Sequence, residues 1–309
     1  MSDNSSFLSF RFPAPPVPAR TGLEPAWLHL PMPETSFADC PGCGEISRSD
    51  TEDASIAGSW SGTPAVAEEE ATAWGRWMLG HHLSFCAWRL LHESLSRAVT
   101  TEIARSREDR RIAELFDTYS ALLLYAGSCT PKVYETVIRV RMAEAHPGFS
   151  GLWYRDNARI QELSARLTQR FGFGVEAKAA MRFNRLAHAS LANRLVPEGP
   201  SLRRESGHAQ SAISESERDT ADDFFRTRRK DLCRHEFVAQ LISRTTVALT
   251  DLARHPLTAR YGHESVDRFQ DTVCRRLERF ALIALEEDHG AGQTNPADSA
   301  SRRLHQRAG

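Results

Sequence analysis

The segment that most constrains the fold of this chain is residues 74–92, WGRWMLGHHLSFCAWRLLH. On a helix, at about 100° per residue, its aromatic and histidine side chains fall on one narrow stripe. The stripe contains Trp74, Trp77, Met78, His81, Phe85, Trp88 and His92. A bundle helix usually carries Leu and Ile at such positions, and an aromatic stripe is usually buried core. The segment therefore predicts either an unusually aromatic core or one wall of an aromatic-lined pocket with a histidine pointing into it.

Composition restricts the class of protein. The 309 residues are 41% hydrophobic and 26% charged, with a formal net charge of -1, so the chain has no electrostatic signature of a nucleic-acid-binding protein. No apolar run reaches the roughly 20 residues that span a bilayer, and the N-terminus lacks the pattern of a signal peptide. The six cysteines are scattered apart from Cys40 and Cys43. These features predict a cytoplasmic protein with reduced thiols that binds neither nucleic acid nor membrane.

The chain divides into three parts by pattern. Residues 1–66 are rich in Pro, Ser, Gly and acidic residues and predict an extended, partly disordered arm. Residues 67–288 have the helical period almost throughout and predict an all-α domain, a helical bundle that encloses a pocket. Residues 289–309 predict a disordered tail.

Helix boundaries follow from the breakers and caps. We expect helices over about 68–104, 108–125, 130–145, 152–170, 175–195, 218–254 and 263–287, with a long polar loop over 196–217. Thr130 followed by Pro131 is typical of a helix start.

The CPGC segment, residues 40–43, invites a zinc interpretation. A structural zinc site needs four ligands, and the sequence has no second C-x2-C and no histidine pair nearby. A thioredoxin-like motif would need a flanking strand and helix, which the pattern does not predict. Neither interpretation is favoured from the sequence.

The usual catalytic signatures are missing from the sequence: there is no nucleophile elbow, phosphate-binding loop, dinucleotide fingerprint or HExxH. What the helices offer instead is single histidines beside aromatic walls. That combination suits a prosthetic group that brings its own reactivity and is held by one histidine.

His188 is the second histidine of interest. It shares a helical face with Met181, Asn184, Leu191 and Leu195, and its neighbours Ala187, Ala189 and Ser190 are small. Small neighbours would let a flat macrocycle approach the helix, and Asn184 could orient the imidazole ring. A hydrogen-bonded core histidine is the alternative.

A third candidate segment combines arginine with a glycine-rich turn. Arg139 and Arg141 lie near the end of one predicted helix, and the turn Gly148-Phe149-Ser150-Gly151 follows. Arginine can hold a carboxylate with two parallel hydrogen bonds, so this segment could bind an acidic substrate group. Arginines on a solvated surface are the alternative.

Taken in order, these three segments resemble the tryptophan 2,3-dioxygenase superfamily, the histidine-ligated heme-dependent aromatic oxygenases. The resemblance covers about residues 70–205. It rests on three degenerate motifs: Trp77-xxx-His81 with Trp88-Arg89 and His92-Glu93; Gly148-Phe149-Ser150 with Arg155; and His188 with Arg194 and the 198–201 loop. His82 replaces the glutamine that the family places after its histidine, and the family's full glycine-rich loop is missing. The size, arginine-rich composition and helical body look most like the actinobacterial L-tyrosine 3-hydroxylases of antibiotic biosynthesis.

The resemblance implies a heme b cofactor, L-tyrosine as substrate and L-DOPA as product, with hydrogen peroxide or dioxygen plus a reductant as oxidant. By position in the motifs, His188 would be the iron ligand, and His81 or His82 the catalytic acid and base. The substrate ring and carboxylate would contact residues from both other segments, namely Trp77, Phe85, Trp88, Arg139, Arg141, Phe149 and Ser150.

Several alternatives stay open at this stage. His235, in Cys233-Arg-His235, imitates the ligand motif and rivals His188. His82 and Cys86, four residues apart, could attach heme covalently by a thioether. The substrate could be tryptophan, or the chain could be a helical interaction protein without enzymatic activity. A homodimer is one of the oligomeric states compatible with the sequence.

Overall fold

The computed structural model of the chain describes residues 25–40, 65–100, 105–197, 199–207, 212–257 and 265–291. In chain order its longer helices are α1 (Ala65–Thr100), α2 (Arg105–Ala126), α5 (Arg155–Arg170), α6 (Val175–Leu195), α8 (Glu215–Phe224), α9 (Arg234–Arg254) and α10 (Ser265–Ala291). Short helical pieces connect them: α3 (Pro131–Val133), a π-helical segment (Tyr134–Arg139), α4 (Val140–Ala145), a 3-10 turn (Gly151–Trp153) and α7 (Leu202–Glu205). Two three-residue strands, β1 (Leu28–Leu30) and β2 (Thr227–Arg229), complete the described elements.

The all-α prediction is confirmed, and most predicted helices lie within a few residues of the observed ones. The expected start at Thr130 is present: its side chain accepts a hydrogen bond from the Val133 amide, and Pro131 opens the helix. The predicted arm lies outside the described residues except for 25–40 and the start of α1, and the predicted tail lies outside them beyond Ala291.

The single helix predicted over 218–254 is wrong. The chain turns at Arg226, which has a positive φ of 49°, and continues as β2 before α9 begins. Cys233 caps α9, because its sulfur accepts the Glu236 amide and the Glu236 carboxylate accepts the Cys233 amide. The β2 strand pairs in parallel with β1, so a distant segment determines this break.

The long helix α1 is the centre of the bundle. It packs against α2, α5 and α9, while α2 also packs against α6 and α10. Gly80 permits the close approach of α1 to the end of α2, since a Cβ atom at this position would lie 2.7 Å from the Ala126 Cβ. No helix among the described residues is long and apolar enough to cross a membrane.

A buried polar network fixes the far side of α1. The Arg76 guanidinium donates to the Asp251 carboxylate of α9 at 2.6 Å, and the Tyr125 hydroxyl of α2 donates to the same oxygen at 3.0 Å. Arg76 and Asp251 are almost completely buried, so each compensates the other's loss of hydration. Three helices are thereby held in one register.

Residues 25–40 cross the surface of the helical body. β1 pairs with β2, and farther along Ala38 donates its amide to the Leu232 carbonyl at 2.9 Å. Phe37 packs on Phe237, with the guanidinium groups of Arg89 and Arg234 over its ring. This segment is therefore attached along its length to the start of α9.

Candidate active site

The aromatic stripe of α1 faces a second set of aromatic rings from later in the chain. These are Tyr119 of α2, Tyr134 of the π-helical segment, Phe149 and Tyr154 around the 3-10 turn, and Phe224 and Phe225 at the end of α8. Phe85 lies 4.3 Å from Tyr154 and 5.7 Å from Phe225, ring centroid to centroid. The stripe is therefore largely core, with Trp77 and His81 only half-buried, and its description as a pocket wall stays a prediction.

His81 has one ring nitrogen in use. Its Nδ1 lies 2.6 Å from the Trp77 carbonyl oxygen, so Nδ1 carries the hydrogen and Nε2 keeps its lone pair. The ring stacks on Phe225 with centroids 4.4 Å apart. Burial lowers the pKa of His81 to about 4. The hydrogen bond to Trp77 opposes this lowering in part, and the charge of His188 adds a smaller lowering. At neutral pH the ring is therefore an uncharged base.

His82 points the other way, and both its nitrogens have partners. Its Nε2 hydrogen-bonds the Phe225 carbonyl, and its Nδ1 accepts from the Arg244 guanidinium at 3.2 Å. The side chain is completely buried. Burial, and then the Arg244 charge, holds the pKa of His82 well below its usual value. Such a histidine holds α1 to α9 and has no nitrogen left for a substrate.

His188 lies on the outer part of α6 and has an exposed surface. Partial burial of the ring lowers its pKa. The charge of His188 also contributes a small lowering to the pKa of His81, after burial and the hydrogen bond to Trp77. The small residues Ala189 and Ser190 beside it are also exposed.

Neighbouring residues on α6 have structural roles. Asn184 is buried and donates to the Ser120 hydroxyl at 3.0 Å, so it holds α6 to α2 and does not orient His188 as expected. Arg194 donates to the carbonyls of Gly127 and Cys129, which ties the end of α6 to the turn after α2. A Cβ atom on Gly127 would lie 2.5 Å from Leu191, so α6 approaches this turn closely.

Two buried polar atoms near His81 have no hydrogen-bond partner in the described part of the chain: the indole nitrogen of Trp77 and the hydroxyl of Tyr154. Their rings lie 4.4 Å and 6.5 Å from the His81 ring. Burying a donor without a partner costs about 1–3 kcal/mol, so such atoms indicate a missing partner. A polar ligand beside His81 would supply one.

Phe85 and Trp88 form the inner part of the cluster. Phe85 is 1% exposed and Trp88 is 7% exposed, and both contact Tyr154. Trp88 also meets Tyr119 edge-on at 5.3 Å. For either ring to touch a substrate, the substrate must enter this cluster.

Arg139 already has carboxylate partners. It ends the π-helical segment and is buried, and its guanidinium lies 2.6 Å from the Glu205 carboxylate and 3.4 Å from that of Glu135. It also donates to the Pro200 carbonyl at 3.1 Å. Arg139 therefore anchors the 200–205 segment, and a substrate carboxylate would have to replace Glu205. π-Helical segments occur frequently at functional sites.

The other predicted substrate residues lie around the same cluster. The Arg141 guanidinium lies over the Trp74 ring at 4.3 Å. Phe149 is buried 4.6 Å from Phe224, and the Ser150 hydroxyl accepts the Leu152 amide to begin the 3-10 turn. Phe149 thus lines the cluster, while Ser150 shapes the turn.

The remaining motif residues lie elsewhere. Arg155 pairs with Glu215, Asp219 and Asp222 of α8 and so joins α5 to α8. His235 is exposed at the start of α9 and lies with Cys40 and Cys233. Burial raises the pKa of the Cys86 thiol to about 12.

A surface groove of about 400 Å³ lies between α2 and α6, lined by residues that include Glu114, Asp117 and Phe183. Neither His81 nor His188 lines it, and two of its carboxylates pair with arginines of α10. We therefore place the candidate active site at His81 rather than in this groove.

Sequence reasoning singled out Phe149 but missed the other members of this second set of aromatic rings. The helix predicted over 218–254 includes Phe224 and Phe225 near its start, although two adjacent phenylalanines before a basic run could have marked a buried turn. Tyr154 follows the glycine-rich turn, and only tertiary packing shows that it meets Phe85.

Comparison with known proteins adds an independent observation. Residues 42–182 match the model of a protein family described as SfmD 3-methyl-L-tyrosine peroxygenase. The matched segment includes His81, the arginine segment and the glycine-rich turn, and it ends before His188. The match supports similarity to a heme-dependent peroxygenase family, a class of oxidoreductase. No curated protein matches the chain. The wider resemblance to the tryptophan 2,3-dioxygenase superfamily stays a prediction.

Proposed function

We propose that this protein is a heme-dependent oxygenase that hydroxylates the aromatic ring of L-tyrosine next to its hydroxyl, giving L-DOPA, in cytoplasmic antibiotic biosynthesis. The observation that carries the proposal is the surroundings of His81. A neutral imidazole with an available Nε2 lies near two buried polar atoms that have no hydrogen-bond partner among the described residues, and the charge of a second histidine, His188, acts on it. The similarity of residues 42–182 to a peroxygenase family supports the same chemistry.

The residues present fit a heme group. His188 combines an exposed imidazole with small neighbours, so a flat macrocycle can reach its ring nitrogen, and the unpartnered Trp77 indole nitrogen offers a hydrogen bond. We assign His188 as the ligand of heme b. When bound, the heme supplies the oxidising chemistry that inserts an oxygen atom from hydrogen peroxide, or from dioxygen with a reductant, into the ring.

His81 would move the proton of the oxidant. Its Nε2 accepts a proton from the oxidant's O–H group, while the Nδ1 hydrogen bond to the Trp77 carbonyl keeps the ring in place. Because burial lowers the pKa of His81 to about 4, the ring is uncharged at neutral pH and Nε2 has a lone pair to accept that proton. His82 does not share this role, since both its nitrogens are occupied.

The remaining predicted residues would bind and orient the substrate. Trp77, Phe85, Trp88 and Phe149 would enclose its ring, with Ser150 shaping the turn that carries Phe149. Arg139 or Arg141 would pair with its carboxylate, and Arg139 would do so by exchanging Glu205 for the substrate.

Product analysis tests the proposal. Purified protein supplied with heme is incubated separately with L-tyrosine, 3-methyl-L-tyrosine and L-tryptophan, each with hydrogen peroxide or with dioxygen and a reductant. We expect one oxygen atom to be added to L-tyrosine. 3-Methyl-L-tyrosine is the alternative that the matched family's description favours. Oxidation of tryptophan alone would support the tryptophan-oxidising alternative, and no oxidation of any substrate by a heme-loaded protein would refute the function.

One variant tests the assignment of His81. His81→Gln should keep its heme and lose most turnover, because the glutamine amide cannot accept and return the proton. The cost of losing a positioned acid–base group is typically about 100-fold or more in rate. Unchanged turnover in His81→Gln would refute the assignment.

A further inference from the structure

We propose that Cys40, Cys233 and His235 bind a zinc ion that fastens the N-terminal segment to the start of α9. The sulfur atoms of Cys40 and Cys233 and a ring nitrogen of His235 all lie within 4.8 Å of one another. The sequence alone did not favour zinc here, because the ligands Cys233 and His235 lie far along the chain from Cys40. The fold brings them together.

The backbone explains the approach. Ala38 and Cys233 form a β-bridge, and the Ala38 amide donates to the Leu232 carbonyl at 2.9 Å. Cys40 follows Ala38 by two residues, so the bridge places the Cys40 side chain near the N-terminus of α9. Cys233 caps that helix, and His235 lies in its first turn. Two ligands therefore sit on a rigid helix end, and the third lies on a segment held by pairing.

The donor set suits zinc. Thiolate and imidazole are soft or borderline donors that select zinc over magnesium and calcium. Zinc bonds are about 2.3 Å to sulfur and about 2.0–2.1 Å to nitrogen, which places tetrahedral ligand atoms roughly 3.4–3.8 Å apart. The three atoms need to move together by only about 1 Å, within the range of side-chain adjustment.

The surroundings also fit a thiolate ligand. The Glu236 amide already points at the Cys233 sulfur, with nitrogen and sulfur 3.5 Å apart, and amide donors of this kind stabilise a zinc-bound thiolate. Cys233 is buried, Cys40 is half-buried and His235 is exposed, so the ion would lie at the protein surface with one side accessible to water.

Zinc binding requires the reduced state of Cys40, which takes part in a disulfide in the structure. A phosphine or thiol reductant supplies two electrons and two protons to that bond and leaves thiols. Each thiol that binds zinc then loses its proton. A tetrahedral zinc also needs a fourth ligand. The three described ligands leave the fourth position of the tetrahedron to a water molecule.

The test is to count zinc by elemental mass spectrometry in the full-length protein, purified with a phosphine reductant and freed of loose metal. We expect about one zinc per chain. Cys40→Ser and Cys233→Ser should lose most of it. Serine is a good helix N-cap, so Cys233→Ser removes the soft ligand while keeping the cap of α9. Cys274→Ser, which changes a cysteine on α10, is the matched control and should keep its zinc.

A second measurement uses the wild-type protein, so its result does not depend on whether a variant folds. Cobalt(II) added to the reduced wild-type protein, supplied without heme, should give the visible bands of a tetrahedral thiolate complex. Zinc should then displace the cobalt. Absence of zinc from the reduced wild type, or equal zinc in Cys233→Ser and Cys274→Ser, would overturn the proposal. Because zinc is counted separately from iron and activity, this result is independent of the proposed function.

Discussion

Mild acid should destabilise this protein through His81. Burial lowers the pKa of His81 from 6.5 to about 4 in the folded state, while in the unfolded chain the ring titrates near 6.5. Above pH 6.5 the ring is neutral in both states and contributes no pH dependence. As the pH falls below 6.5, the histidine binds a proton in the unfolded state but not in the folded state. The free energy of unfolding therefore decreases until the pH reaches about 4.

The size of the effect follows from the two pKa values. The linkage relation gives a loss of about 2 kcal/mol between pH 7 and pH 5 from His81 alone, and about 3 kcal/mol once the pH is below 4. The pKa of His92 is also lowered to about 4 and that of His82 lies well below normal, so the whole protein should lose more than this. The contribution of His81 is isolated by comparing variants.

The assay is urea unfolding of the heme-free protein at pH 7 and pH 5. His81→Gln should lose about 2 kcal/mol less than the wild type over this interval. Trp77→Phe is the control, since it keeps the backbone carbonyl that His81 donates to and should retain the wild-type pH dependence. An identical pH dependence in His81→Gln and wild type would show that the pKa of His81 is not lowered in the folded protein, and the proposed proton transfer would lose its support.

Three further substitutions test the packing around the site. Asp251→Ala leaves the buried Arg76 without its partner and should cost about 3–5 kcal/mol in the free energy of unfolding, measured with urea; a cost under about 1 kcal/mol would show that the pair is hydrated. Gly80→Val forces atoms into α2, where a Cβ would already lie 2.7 Å from the nearest side chain, and should lower stability by about 1–3 kcal/mol in thermal unfolding; an unchanged melting temperature would contradict the close approach. Arg139→Met should release the 200–205 segment by removing the 2.6 Å pair with Glu205, so limited proteolysis should cut there faster than in the wild type; equal cleavage rates would refute the anchor.

Local sequence signals predicted most of the helices. The caps at Thr130 and the apolar periods of α1 and α6 gave boundaries within a few residues, because these signals act within one or two turns. The prediction of one helix over 218–254 was wrong for a physical reason. Its break depends on the pairing of β2 with β1, almost two hundred residues earlier, and on the positive φ at Arg226. A short stretch of sequence around β2 contains no information about a strand so far away in the chain.

The stripe on α1 singled out His81 from the sequence, and its role stays a prediction. Which nitrogen of which histidine is occupied depends on Phe225 and Arg244, which a helical projection of α1 cannot show. The meeting of Cys40 with Cys233 and His235 likewise follows from strand pairing and not from spacing along the chain.

The central claim is that His188 holds a heme beside His81, and heme occupancy tests it most directly. Wild type, His188→Ala and His235→Ala are purified in parallel, supplied with heme, desalted and compared by absorption spectroscopy. We expect a strong heme band near roughly 400 nm in the wild type and in His235→Ala, and its loss in His188→Ala. A heme band of unchanged position and intensity in His188→Ala, or its loss only in His235→Ala, would contradict the account.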